Sequence, residues 1–133
     1  MPLTHNYTQG DAMSSTYHDM TESERQVSEY LNKLELDHIF QFPVFVYDDK
    51  NRPRVWSPDF YIPELGMYVE VQGSKDVNYD YRKTIYKKNG IPIIFIHFFK
   101  DEEKWKNYFI VTMKEFAEAK YQQVMKMVVL DKM

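Results

Sequence analysis

Apolar and polar positions alternate along two short runs, residues 59–62 and 67–72, separated by Pro63-Glu64-Leu65-Gly66. A period of two broken by a Pro/Gly turn predicts a β-hairpin. Symmetric pairing about that turn sets Ile62 opposite Met67, Phe60 opposite Val69 and Asp59 opposite Glu70. Because side chains alternate along a strand, Phe60, Ile62, Met67, Val69 and Val71 share one face. Asp59, Glu70 and Gln72 share the other.

The remaining elements follow from the same kind of pattern. Thr21-x-x-Glu24 and Ser23-x-x-Gln26 fit a capping box, and Val27, Tyr30, Leu31 and Leu34 recur at helical spacing, so a helix begins at Thr21. Residues 38–47 (HIFQFPVFVY) read as a strand, with Pro43 marking a bulge or an edge position. The polar turn 48–51 leads into the strand that carries Val55 and Asp59. A loop with Ser74, Lys75 and Asp76 precedes a helix over 76–89, closed by Asn89-Gly90. Residues 91–98 (IPIIFIHF) form a continuous apolar run, as in a strand buried on both faces, reached by a parallel crossover. Residues 101–107 are expected to form a short helix or turn. Thr112-x-x-Glu115 opens an amphipathic last helix with Met113, Phe116, Ala117, Lys120, Tyr121, Val124, Met127 and Val128 on one stripe. That helix covers one face of the sheet or, alternatively, forms a dimer seam through its methionines and Val129-Leu130. Residues 1–20 are polar and aperiodic, an expected mobile arm ahead of a single domain over 21–133.

Composition narrows the classes. The 133 residues are near the usual size of one domain, and 44% apolar with 17% aromatic content fits a folded chain. The absence of cysteine excludes disulfides, thiolate metal sites and a cysteine nucleophile. A net charge of −3 gives no global basic field for nucleic acid. No signal-peptide pattern is visible and the longest apolar run is too short to cross a bilayer, so a cytoplasmic protein is expected, in the host cytoplasm if viral. The four histidines show no metal-ligand spacing, and no Gly-rich phosphate loop occurs.

Asp59 opposite Glu70 is the pair that calls for chemistry. Directly opposed carboxylates repel, and a divalent cation relieves that repulsion. The bland alternative is two solvated carboxylates on a hairpin. Pro58-Asp59, the hairpin turn and Glu70-Val71-Gln72 resemble the motif of the PD-(D/E)XK nuclease superfamily, with Gln72 standing where most members have lysine. The resemblance covers residues 21–98. It implies an α/β, restriction-endonuclease-like αβββαβ core, a mixed sheet flanked by helices, plus a C-terminal helix. It implies Mg²⁺ or Mn²⁺ held by Asp59, Glu70 and the Val71 carbonyl, and Glu24 as a third carboxylate, although Glu24 is equally a capping-box residue. Gln72 can orient a water but brings no charge, so Lys75, Lys83 or Lys87 is the candidate helper, Lys87 being more readily read as part of a solvated helix face than Lys83. Arg52, Arg54, Lys75, Arg82, Lys83 and Lys87 are the candidate phosphate contacts. The expected protein is therefore a metal-dependent DNA endonuclease, weakly specific or structure-selective, acting as a homodimer on double-stranded or branched DNA. The alternative is a non-catalytic nucleic-acid-binding or assembly protein that keeps the fold.

Overall fold

The computed structural model describes residues 19–132. Their elements are α1 (Glu22–Lys33), β1 (Ile39–Phe40), β2 (Val44–Tyr47), β3 (Pro53–Trp56), β4 (Phe60–Ile62), β5 (Met67–Gln72), α2 (Asp80–Lys88), β6 (Ile93–His97) and α3 (Glu102–Lys132). Strands β1, β4, β5 and β6 form one sheet in that order, while β2 and β3 form a separate hairpin. The described residues thus make a mixed α/β fold with a mixed sheet and three helices, one of them C-terminal. Most of the expected N-terminal arm lies outside the described residues; Met20, at its end, is buried in the core.

The β4–β5 hairpin has the register its alternation predicts: Phe60 pairs with Val69 and Ile62 with Met67. Gly66 closes the turn at φ 62°, a conformation open to glycine, and its N–H bonds the Ile62 carbonyl at 2.9 Å. β6 then lies parallel to β5, with Glu70 beside Phe95 and Gln72 beside His97, as a crossover through α2 requires.

Alternation gives the sheet two unlike faces. Phe60, Ile62, Met67, Val69, Val71, Ile94 and Ile96 pack against Val27 and Leu31 of α1 and Trp105 and Phe109 of α3. On the opposite face Phe95 packs with Ile85 and Tyr86 of α2 and with Val44 and Val46 of the β2–β3 hairpin. The first face is wholly apolar. The second carries the carboxylates.

Three elements depart from expectation. Residues 38–47 are not one strand: Gln41 turns through φ 55°, Pro43 follows, and the chain leaves the main sheet after β1 to build β2 in the hairpin. α2 begins at Asp80 rather than near Asp76, because Gln72 Nε2 ties down the carbonyls of Ser74 and Val77 at 3.2 and 3.1 Å and holds that stretch in a loop. The last helix is continuous from Glu102, and Thr112 sits inside it rather than capping it. Trp105 and Phe109 anchor that first stretch in the core, so packing carries the helix through Ile110, Val111 and Thr112 without a break. α3 covers the sheet only as far as Phe116; residues 117–130 are exposed on every side.

Candidate functional site

Asp59 sits immediately before β4 and Glu70 in the middle of β5, both on the polar face and both buried, at 9% and 3% exposure. Asp59 Oδ2 accepts the Val71 N–H at 2.7 Å, which fixes the carboxylate against the next strand. Glu70 Oε2 accepts from Arg82 Nη1 in an ion pair. Its other oxygen, Oε1, is buried with no partner. Among the described residues only one other buried side-chain oxygen or nitrogen is orphaned, the Tyr86 hydroxyl. Tyr86 lies close enough to both carboxylates for their charge to add to the burial that raises its phenol.

These carboxyl groups are unusually hard to ionise. Burial, then repulsion from Glu70 and Glu24, pushes Asp59 up to about 8. Burial, only partly offset by Arg82, pushes Glu70 up to about 7. Glu24 is a capping-box residue whose charge also reaches the pair. Its Oε1 accepts the Thr21 N–H at 2.9 Å in a complete capping box, and its charge acts on both Asp59 and Glu70. A close approach places it there: a Cβ on Gly73 would lie 3.1 Å from Ser23 Oγ, so glycine lets the first turn of α1 meet the end of β5.

The positive charge at the cluster comes from Arg82. Its guanidinium stands 5.8 Å from the Trp56 ring centroid and 5.9 Å from that of Tyr79, a setting that holds it over the carboxylates. Lys83 lies over the Phe95 ring at 5.2 Å, one strand away from Glu70. Lys75 and Lys87 are exposed, on the loop before α2 and on its outer side. Arg52, just before β3, and Arg54, within it, pair through Nε with Asp48 at 3.0 and 3.1 Å, toward the end of β3 away from Asp59. Gln72 is buried beside the cluster, with its amide nitrogen committed to two loop carbonyls.

Arg82, expected only as a phosphate contact, ion-pairs with Glu70, and Tyr86, an aromatic interleaved with the basic residues of α2, lies beside the carboxylates. The signal was present: Arg82, Ile85, Tyr86 and Asn89 recur at i, i+3, i+4, i+7, which sets Arg82 on the buried stripe of α2 and Lys83 beside it. Of the histidines, His38 is satisfied by Ser28 Oγ at 2.7 Å and the Leu36 carbonyl at 2.9 Å; His5 and His18 lie outside the described residues.

Among the described residues no group of three or more His, Cys, Asp or Glu is arranged to hold a metal ion, and no helix is long and apolar enough to cross a membrane. Comparison with protein-family models, with curated proteins and with solved structures returns no match.

Proposed function

We propose that this chain is a metal-dependent DNA endonuclease of the restriction-endonuclease-like fold. It hydrolyses phosphodiester bonds in double-stranded or branched DNA with weak sequence preference, and it works as a homodimer. The observation that carries this reading is the orphaned Glu70 Oε1 beside Asp59: two buried carboxylates whose negative charge Arg82 only partly offsets, leaving a place for a metal cation. Their oxygen donors suit Mg²⁺ or Mn²⁺. Mg²⁺ is commonly held by one or two carboxylates, with water and phosphate completing its shell, so a three-residue cluster is not required.

Asp59 and Glu70 would hold the ion, with the Val71 carbonyl as the backbone donor that the resemblance assigns. When bound, the ion supplies Lewis acidity that polarises a phosphate oxygen and lowers the pKa of a water. The other tasks fall to the chain itself. The Val71 N–H keeps Asp59 in one orientation. Arg82, bound to the outer oxygen of Glu70, offers a guanidinium to the charge that builds on phosphate, the role usually given to the family lysine. The exposed apolar side chains Tyr121, Val124, Met125 and Val128, at helical spacing on α3, favour pairing of two copies through this helix.

A second reading rests on Gln72. With its amide nitrogen tied to the loop, it supplies neither charge nor an N–H to the site, which favours a nucleic-acid-binding or assembly protein without catalysis. Incubation with supercoiled, linear and branched DNA in Mg²⁺ or Mn²⁺ separates the two. Cutting that EDTA, Asp59→Ala and Glu70→Ala each reduce at least about 100-fold supports the nuclease, since EDTA removes the charge-stabilising ion and each substitution removes one of its ligands. Binding without cutting supports the second reading. Cutting that survives both substitutions refutes the site.

A further inference from the structure

β6 ends in a tight turn. The Lys100 N–H bonds the His97 carbonyl at 3.0 Å, closing a four-residue turn that folds Phe99 back over His97. The two rings lie 5.5 Å apart and 19° from parallel. Tyr108, two turns into α3, lies 6.4 Å from the same imidazole and 9° from parallel. Three nearly parallel rings therefore meet at the end of an edge strand.

These rings are not core. Phe98, the neighbour of Phe99, turns the other way and packs on Trp105 at 5.6 Å within the apolar layer. Phe99 and Tyr108 remain 39% and 51% exposed. Exposed aromatic faces beside cations are what single-stranded nucleic acid uses, because every base offers a π-face and every nucleotide a phosphate. The cations are present. Lys100 closes the turn, and Lys83 sits over Phe95, two residues before His97 on the same face of β6. Burial and the nearby Lys83 and Lys100 lower the pKa of His97, which favours a neutral, stackable ring while the lysines carry the charge. His97 is the register partner of Gln72, two residues beyond Glu70, so the rings stand about 7 Å further along the strands than the carboxylates.

We infer that the Phe99–His97–Tyr108 rings, with Lys83 and Lys100, form a binding site for unpaired nucleotides of single-stranded DNA beside the carboxylate cluster. The choice of DNA rests on the proposed nuclease reading; the stacking site itself does not. It gives that reading a substrate form: DNA with an unpaired segment, such as a flap, a fork or a single strand.

The test is fluorescence polarisation with a labelled oligo-dT and a blunt duplex of equal length, in EDTA, so that neither metal nor cutting enters. The wild type is expected to bind oligo-dT more tightly than the duplex. Phe99→Ala with Tyr108→Ala should weaken oligo-dT binding about 10-fold or more, while Phe99→Tyr with Tyr108→Phe, which keeps the rings, should retain it. Lys83→Gln and Lys100→Gln should each lower the slope of log K against log salt by about 0.7, a change that mere misfolding does not produce. Unchanged oligo-dT binding in the double alanine variant overturns the inference, as does equal binding of duplex and single strand by the wild type. Asp59→Ala separates the two claims. Loss of cutting with oligo-dT binding intact leaves both standing; ring-dependent binding by a wild type that cuts nothing keeps the stacking site and removes the nuclease.

Discussion

Asp48 and Glu70 are both buried carboxylates that pair with arginine, yet they are opposites. Asp48, 2% exposed, accepts four hydrogen bonds: the N–H groups of Lys50 and Arg52 at 2.9 Å each, and the Nε of Arg52 and of Arg54 at 3.0 and 3.1 Å. Both of its oxygens are satisfied, and those bonds hold it well below the usual carboxylate range. Glu70 has one arginine on one oxygen, nothing on the other, and a second carboxylate beside it. It is held above the usual range. An ion pair therefore does not by itself reveal a role; what separates the two is whether the remaining lone pairs are answered. Asp48 completes a turn. Glu70 and Asp59 leave one polar position open to a ligand.

The comparison predicts opposite responses to substitution. Asp48→Ala removes the acceptor for four bonds at the β2–β3 turn and leaves two guanidinium groups without it. Its expected effect is the largest of the set, a fall in Tm on the order of 10 °C by calorimetry. Asp59→Asn should do the reverse in the absence of metal, raising stability at pH 8 by about 2 kcal/mol in urea titrations, because it removes a charge that burial penalises. Equal losses from the two substitutions would end the distinction.

The pH profile sharpens the same contrast. Burial and repulsion among the carboxylates hold Asp59 and Glu70 well above the ordinary carboxylate range when folded, so from about pH 4 upward to near 8 the folded state holds protons that the unfolded state has released. Stability falls as pH rises through that window. Asp48 has the other sign: its contribution is present above its unfolded value and is lost as pH falls well below 4. Metal-free unfolding from pH 5 to 8 should therefore show a decline that Asp59→Asn flattens and that Asp48 does not influence. The smallest effect belongs to Gln72→Ala, which frees the loop before α2 and should lower Tm by a few degrees through two lost hydrogen bonds, seen also as faster amide exchange over residues 73–79.

Legibility followed the reach of the interactions. The hairpin register, the Thr21–Glu24 capping box, the Asn89–Gly90 helix end and the parallel β6 are set by local alternation and caps, and each is present. Elements fixed by distant partners were misread. Gln41 and Pro43 move the chain from one sheet to another, which no period within residues 38–47 records. The start of α2 depends on Gln72, eight residues upstream. The continuity of α3 depends on the packing of Trp105 and Phe109 across the core. At the site, opposed carboxylates were visible as register, whereas their isolation from solvent and the empty lone pair of Glu70 arise only when α2 and the β2–β3 hairpin close over that face.

The most direct test of the open carboxylate position needs no DNA. Thermal unfolding at pH 8, where both carboxylates are most costly, should be followed with Mn²⁺ or EDTA for the wild type, Asp59→Asn and Asp48→Ala. The account predicts that millimolar Mn²⁺ raises the wild-type Tm by roughly 5 °C, leaves Asp59→Asn unmoved, and shifts Asp48→Ala by about as much as the wild type. A wild-type Tm that ignores Mn²⁺, or an equal shift in Asp59→Asn, would contradict a cation site at Asp59 and Glu70.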